Sequence, residues 1–87
     1  MATFEIEWKP SAIKELRRLD KAIISRIVKS IEGLSSHPLP SGVRKLRGGE
    51  HSYRIRVGNY RIIYTFFKKQ SLIQIARIRH RRDAYRT

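Results

Sequence analysis

The stretch VRKLRGGEHSYRIRVGNYRIIYTFF, residues 43–67, decides the fold of this chain. Its centre predicts a β-hairpin whose strands cover residues 52–57 and 60–67. Gly58-Asn59 closes the hairpin, because Gly adopts positive φ without penalty and Asn tolerates it in a two-residue turn. Side chains alternate across a strand. One face therefore carries the residues that we expect to point toward the core: Tyr53, Ile55, Val57, Tyr60, Ile62 and Tyr64.

Three arginines fall on the opposite face of this hairpin: Arg54, Arg56 and Arg61. A two-residue turn places Arg56 directly opposite Arg61, and like charges in that position destabilise a sheet. Folding alone does not favour such a pair, whereas a face that binds phosphate does. The alternative is a solvated edge on which arginine serves only solubility, and the hairpin by itself leaves both interpretations open.

Charge is distributed unevenly along the 87 residues. The chain carries 20 Lys/Arg against 7 Asp/Glu, a net charge of +13, and residues 41–87 hold thirteen of the basic residues and two of the acidic ones. This asymmetry indicates a polyanionic partner: nucleic acid first, an acidic protein second and an anionic membrane third. Arg outnumbers Lys ten to three in that half, and Arg binds phosphate through two nitrogen atoms at once.

Length and composition predict one soluble domain, residues 1–87, with a single small core. Hydrophobic residues make up 40% of the chain and there is no cysteine, which excludes disulfides, a thiolate nucleophile and cysteine-based zinc sites. No His, Asp and Glu stand at metal-ligand spacing, so we expect no metal and no cofactor. The chain has neither a transmembrane-length apolar run nor a signal peptide, which predicts a cytoplasmic protein without membrane contact.

The order of predicted elements indicates an α+β fold: an N-terminal strand, a two-helix hairpin packed on a mainly antiparallel sheet of three or four strands, and a short C-terminal tail. Pro10 suits the first turn of one helix, and Asp20 suits the N-cap of the next. One long bent helix over 11–34 remains an alternative. The further strands are expected at 43–46 and 72–79, the last with room for a bulge near Ala76.

The segments KLRGGEHSYRIRVGNYRIIYTF and RIRHRRDAYR resemble the RelE/ParE superfamily of bacterial toxins, and most closely its RelE branch. The resemblance covers nearly the whole chain. It implies a small α+β toxin held inactive by a RelB-like acidic antitoxin. RelE-type toxins enter the ribosomal A site and cut mRNA there, whereas ParE-type members inhibit DNA gyrase.

The resemblance also implies roles for individual residues. Arg54 and Arg56 match two basic hairpin positions, Arg61 matches the arginine that holds the scissile phosphate, and Arg81 matches a tail arginine. Tyr85 matches, across a gap, a tyrosine that stacks on the substrate base; its alternative role is to pin the tail to the sheet. The basic residues expected to touch RNA around this site are Lys45, Arg47, Arg79, Arg82 and Arg86.

Metal-independent cleavage by such a toxin uses attack of the RNA 2′-hydroxyl on the adjacent phosphorus, which requires alignment, charge stabilisation and proton transfer. The best-known members carry lysines on the hairpin, but this chain carries arginines, which do not give up a proton. His80 is the candidate base, because histidine titrates near neutrality; the alternative is a surface histidine in a basic tail. Glu50 and His51 are weaker candidates.

Three functions remain open on the sequence: a ribosome-dependent mRNA endoribonuclease, a ParE-like inhibitor that acts on gyrase without chemistry, and a non-catalytic RNA-binding domain. Only the endoribonuclease requires the hairpin and the tail to act chemically on a phosphate, and this requirement distinguishes it from the other two functions.

Overall fold

The computed structural model describes residues 3–81. The elements in chain order are β1 (Glu5–Trp8), α1 (Pro10–Arg17), α2 (Lys21–Leu34), β2 (Arg44–Lys45), β3 (Ser52–Val57), β4 (Tyr60–Phe67), a 3-10 turn (Lys68–Gln70) and β5 (Leu72–His80). The five strands form one sheet in the order β1-β5-β4-β3-β2. Strand β1 runs parallel to β5, and the other pairs are antiparallel. The predicted α+β architecture is confirmed, with four strands in the antiparallel part.

The central hairpin has the predicted register. Val57 pairs with Tyr60, and Arg56 lies directly opposite Arg61. Gly58 has a φ of 59° while Asn59 has a negative φ, the pattern of a type II′ turn. The turn therefore fixes which side chains share a face of the sheet.

Two separate helices follow β1, rather than one long bent helix. Pro10 occupies the first turn of α1, and Asp20 is the N-cap residue of α2, although its side chain makes no capping hydrogen bond. Helix α1 packs against β5 and α2 packs against β3. Within residues 3–81, no helix has the length and apolar character needed to cross a membrane.

The core is formed by side chains of both helices and of one face of the sheet. Its fully buried side chains are Ala12, Ile27, Ile31, Leu34, Ile62, Tyr64, Ile73 and Ile75. The Tyr64 hydroxyl donates a hydrogen bond of 2.6 Å to the Pro38 carbonyl oxygen, which ties the loop after α2 to the sheet. Burial, with a smaller contribution from Tyr53, raises the pKa of Tyr64 well above its usual range.

A bulge at Ala76 sets the register of the last strand. Ile63 pairs with Arg77 and Tyr64 pairs with Ile75, so Ala76 is the extra residue. Strand β1 ends opposite Ile75, and α1 covers the β5 edge beyond that point. There Ser11 Oγ donates to the Ala76 carbonyl oxygen at 3.0 Å, and Glu15 Oε1 accepts from the Ile78 backbone N–H at 3.0 Å.

Candidate functional site

The sheet face opposite the core carries six arginines from four strands. They are Arg44 on β2, Arg54 and Arg56 on β3, Arg61 on β4, and Arg77 and Arg79 on β5. We call this surface the arginine face. Its members share one side because residues directly opposite each other across a ladder project the same way.

The central row of the arginine face crosses three adjacent strands. Arg61 lies directly opposite Arg56 on one side and Arg79 on the other. Neighbouring strands are about 4.8 Å apart, so the row spans about 10 Å. A third like-charge pair joins Arg44 to Arg54. Such pairs oppose folding, and their concentration on one face makes it the candidate anion-binding surface.

A cleft of about 270 Å³ opens among these arginines. Its lining residues are Gly42, Arg44, Arg54, Ile55, Arg56 and Arg61. Arg61 is 8% exposed, whereas Arg56 is exposed and Arg54 is half-buried. A charge partly withdrawn from water interacts more strongly with an incoming anion than a fully solvated one does. The cleft thus combines a buried guanidinium with more accessible ones, an arrangement suited to holding a phosphate.

Glu15 is a carboxylate that lies beside the arginine face. Its Oε1 is 3.8 Å from Arg77 Nε and its Oε2 is 3.8 Å from Arg79 Nε. The hydrogen bond from the Ile78 backbone N–H fixes the position of this carboxyl group. Helix α1 therefore supplies a fixed negative charge next to the β5 end of the row.

The structure brings together the three arginines that the sequence predicts on the hairpin, and it adds Arg79 to them. Arg81 follows β5, and its backbone N–H donates a hydrogen bond of 2.6 Å to the Asn59 carbonyl oxygen. This bond places the start of the tail beside the hairpin turn. Lys45 lies opposite Tyr53, on the other face from Arg54, and is exposed, as is Arg47 in the following turn. The predictions for Arg82, Tyr85 and Arg86 lie outside the described residues.

His80 does not join the arginine face. It lies directly opposite Tyr60, and the two rings meet edge to face with centroids 5.2 Å apart. Tyr60 and Arg61 are consecutive in β4, so they project to opposite sides of the sheet. The structure thus separates the His80 imidazole from Arg61 by the thickness of the sheet. His51, before β3, lies near the Phe67 ring, at the end of the hairpin away from the turn.

Arg44 and Arg77 lie on the arginine face but were not predicted from the sequence. Arg77 needed the bulge at Ala76 to determine its face. A usable signal was present, because Arg77-Ile78-Arg79 repeats the Arg-Ile-Arg pattern of Arg54–Arg56 and so places its two arginines on a common side. Arg44 lies on a strand of two residues, too short for alternation to show. Within residues 3–81, no three His, Asp or Glu side chains gather into a metal-binding group.

Comparison with known proteins identifies the family. The model of the family described as ParE toxin of type II toxin–antitoxin system, parDE, matches residues 6–85. This chain belongs to the RelE/ParE superfamily of type II toxins. Toxin RelG of Mycobacterium tuberculosis is 29% identical over 84 residues, which is 95% of this chain and 97% of that protein.

Solved structures place the chain in the RelE-like branch of this superfamily. The toxin fold in the archaeal RelE–RelB complex of Pyrococcus horikoshii superposes with a TM-score of 0.82 and 31% identity, covering 91% of this chain and 96% of that one. The RelB–RelE antitoxin–toxin complex of Methanococcus jannaschii gives a TM-score of 0.75 and 28% identity, with 91% and 94% covered. The resemblance seen in the sequence is thereby confirmed at the level of family and fold.

Proposed function

We propose that this RelE-like toxin is a ribosome-dependent endoribonuclease that cuts mRNA in the ribosomal A site and so arrests translation. The observation that carries the proposal is the central row of the arginine face, with the buried Arg61 between Arg56 and Arg79. The row offers several guanidinium groups within about 10 Å, and guanidinium matches phosphate in geometry as well as in charge.

The reaction that fits this site needs no covalent enzyme intermediate. The RNA 2′-oxygen forms a bond to the adjacent phosphorus, the bond from phosphorus to the 5′-oxygen breaks, and the products are a 2′,3′-cyclic phosphate and a 5′-hydroxyl. One proton leaves the 2′-hydroxyl and one reaches the 5′-oxygen. Arg54, Arg56 and Arg61 stabilise the extra negative charge that the phosphate carries in the transition state.

Proton transfer is the step that the described part of the arginine face does not supply. Arginine keeps its proton at physiological pH, and His80 lies on the other side of the sheet. We therefore assign proton acceptance to water or to a group from outside the face. By resemblance we assign Tyr85 to stacking on the substrate base, Arg81 to the phosphate, and Lys45, Arg47, Arg82 and Arg86 to outer RNA contacts.

The proposed regulator is an acidic antitoxin of the RelB kind. Two similar proteins, from Pyrococcus horikoshii and Methanococcus jannaschii, form complexes with RelB, and the +13 charge of this chain complements acidic segments. Carboxylates over the arginine face relieve the repulsion between its members. Binding should therefore raise the melting temperature of the toxin, and the absence of a shift on mixing with the antitoxin would contradict this part of the proposal.

Primer extension on mRNA from translating ribosomes, with and without the toxin and in the presence of chelator, tests the nuclease function. New 5′ ends at A-site codons are expected, and Arg61→Ala should remove them along with growth arrest. The ParE name of the matching family model makes gyrase inhibition the second candidate. Intact mRNA with loss of DNA supercoiling would establish that function instead, and RNA binding without cleavage or gyrase inhibition would leave a binding domain.

A further inference from the structure

Two arginines of β5 extend the arginine face beyond the cleft at the hairpin. We propose that Arg77 and Arg79 form a second phosphate site, which holds a neighbouring phosphate of the same RNA strand while Arg61 holds the scissile one, and that Glu15 is its positioning residue. This inference rests on the proposed function, because it takes single-stranded RNA as the ligand. We call Arg77 and Arg79 the β5 arginine pair.

The spacing of the β5 arginine pair suits an extended RNA strand. Arg79 is one strand away from Arg61 and two strands away from Arg56, so its Cα lies about 5 Å and about 10 Å from theirs. Arg77 is two residues before Arg79 in β5, about 7 Å from it and on the same face. Because Arg77 lies outside the central row, we infer that the pair holds a phosphate next to the one at Arg61.

Glu15 holds the pair in place before RNA arrives. Its carboxyl group is fixed by the Ile78 backbone N–H at 3.0 Å, and that N–H lies between the two arginines in the strand. The carboxylate approaches each arginine at Nε, at 3.8 Å. Within residues 3–81, no hydrogen bond occupies the terminal nitrogen atoms of either guanidinium. Each head group is thus restrained on one side and open to phosphate on the other.

Restraint of this kind favours binding, because ordering a free arginine side chain on binding costs entropy. The pair also remains accessible: the side chains of Arg77 and Arg79 are 41% and 29% exposed, and that of Glu15 is 25% exposed. An RNA strand is favoured over an acidic peptide because the pair continues a row of arginines across adjacent strands, and a phosphodiester chain presents one charge per nucleotide to such a row.

The salt dependence of RNA binding tests this site. The probe is a fluorescent 12-nucleotide single strand with 2′-O-methyl groups, which has no attacking hydroxyl, and anisotropy gives its affinity across a KCl series. Each lost phosphate contact lowers the slope of log affinity against log salt by about 0.7 for single strands. Arg77→Gln with Arg79→Gln should therefore lower the slope by about 1.4. The matched control, Lys68→Gln with Lys69→Gln, removes two charges from the exposed 3-10 turn and should leave the slope unchanged.

Cleavage kinetics separate the second site from the catalytic one. Arg77→Gln lies outside the central row and should raise KM for programmed ribosomes severalfold while kcat stays within a factor of about two, because the central row still holds the scissile phosphate. Glu15→Asp keeps the negative charge and should therefore raise KM less than Glu15→Ala does. If the double variant does not fold, as judged by circular dichroism, the single Arg77→Gln change should lower the slope by about 0.7.

Three outcomes would overturn the site: an unchanged slope in the arginine variants, an equal drop in the lysine control, or a loss of kcat in Arg77→Gln as large as that of Arg61→Ala. If the arginine variants lose affinity only for a polyglutamate peptide, the pair serves an acidic protein and the RNA site is refuted. If the wild-type protein cleaves no mRNA but the slope difference persists, the nuclease proposal fails and the phosphate site stands.

Discussion

Replacement of Arg56 by glutamine should make the protein more stable and less active at the same time. Arg56 lies directly opposite Arg61, so the two positive charges repel each other across the hairpin. Arg56 is exposed, and glutamine keeps much of its length without its charge. The substitution thus removes the repulsion while leaving the core face of β3 untouched.

The expected stability gain follows from the geometry of the pair. Two unit charges about 6 Å apart in water repel each other by about 0.7 kcal/mol, which lies within the range measured for directly opposed side chains. For a domain of this size, a gain of about 0.7 kcal/mol raises Tm by about 3–6 °C. The Debye length falls to about 3 Å in 1 M salt, so most of the gain should disappear there.

The expected loss of activity follows from the same charge. A hydrogen bond between a charged donor and phosphate contributes about 1.5–3 kcal/mol, so cleavage should slow by about 10- to 150-fold. Thermal unfolding at 20 mM and 1 M NaCl measures the first effect, and primer extension over time measures the second. Lys69→Gln, an exposed charge on the 3-10 turn, is the control and should change neither quantity.

The two measurements together can refute the reasoning. If Arg56→Gln lowers Tm in low salt, Arg56 has a stabilising partner and the row is not held under repulsion. If the stability gain appears while cleavage proceeds at the wild-type rate, Arg56 does not contribute to cleavage and the phosphate is bound elsewhere.

Three further substitutions test the surroundings of the site. Glu15→Ala should lower the free energy of unfolding by about 1–3 kcal/mol in urea titrations, because the Ile78 N–H loses its acceptor; Glu15→Gln keeps an acceptor and should lose less than Glu15→Ala. Burial raises the pKa of Tyr64, so the phenol loses its proton more readily in the unfolded than in the folded chain. The free energy of unfolding should therefore be unaffected by the ionisation of Tyr64 below pH ~10 and fall by up to about 1.4 kcal/mol per pH unit above it. In Tyr64→Phe this fall should be absent. His80→Gln should slow cleavage less than about tenfold, because the His80 ring packs on Tyr60 away from the arginine face; a loss of about a hundredfold or more at unchanged ribosome binding would make His80 the base.

The hairpin could be predicted residue by residue because its register depends on local chemistry alone. Gly58-Asn59 permits a two-residue turn, a two-residue turn fixes the pairing, and the pairing places Arg54, Arg56 and Arg61 on one face. None of these steps requires knowledge of another part of the chain. Asp20 likewise indicated a helix start and is the N-cap of α2, although the sequence left one long helix over 11–34 as an alternative.

The last strand could not be predicted in this way because its register depends on contacts far away in sequence. The bulge at Ala76 is accompanied by the Ser11 hydroxyl bound to its carbonyl oxygen, and the edge beyond it is covered by Glu15, residues more than 60 positions earlier. If the position of the bulge is not known, the alternation of side chains along β5 does not determine on which face of the sheet Arg77 and Arg79 lie. The prediction of His80 as a partner of the arginines lacked this register, and the pairing with Tyr60 places it on the other side.

The arginine face therefore depends on two structural features that arise in different parts of the chain. A local turn aligns Arg56 with Arg61, and a non-local bulge brings Arg79 to the other side of Arg61. Either pairing alone places like charges opposite each other, and the sheet tolerates both because the buried core and the α1 edge contacts hold the strands in register. Because two independent features of the fold converge on an arrangement that opposes folding, the proposed anion binding gives a physical reason for it.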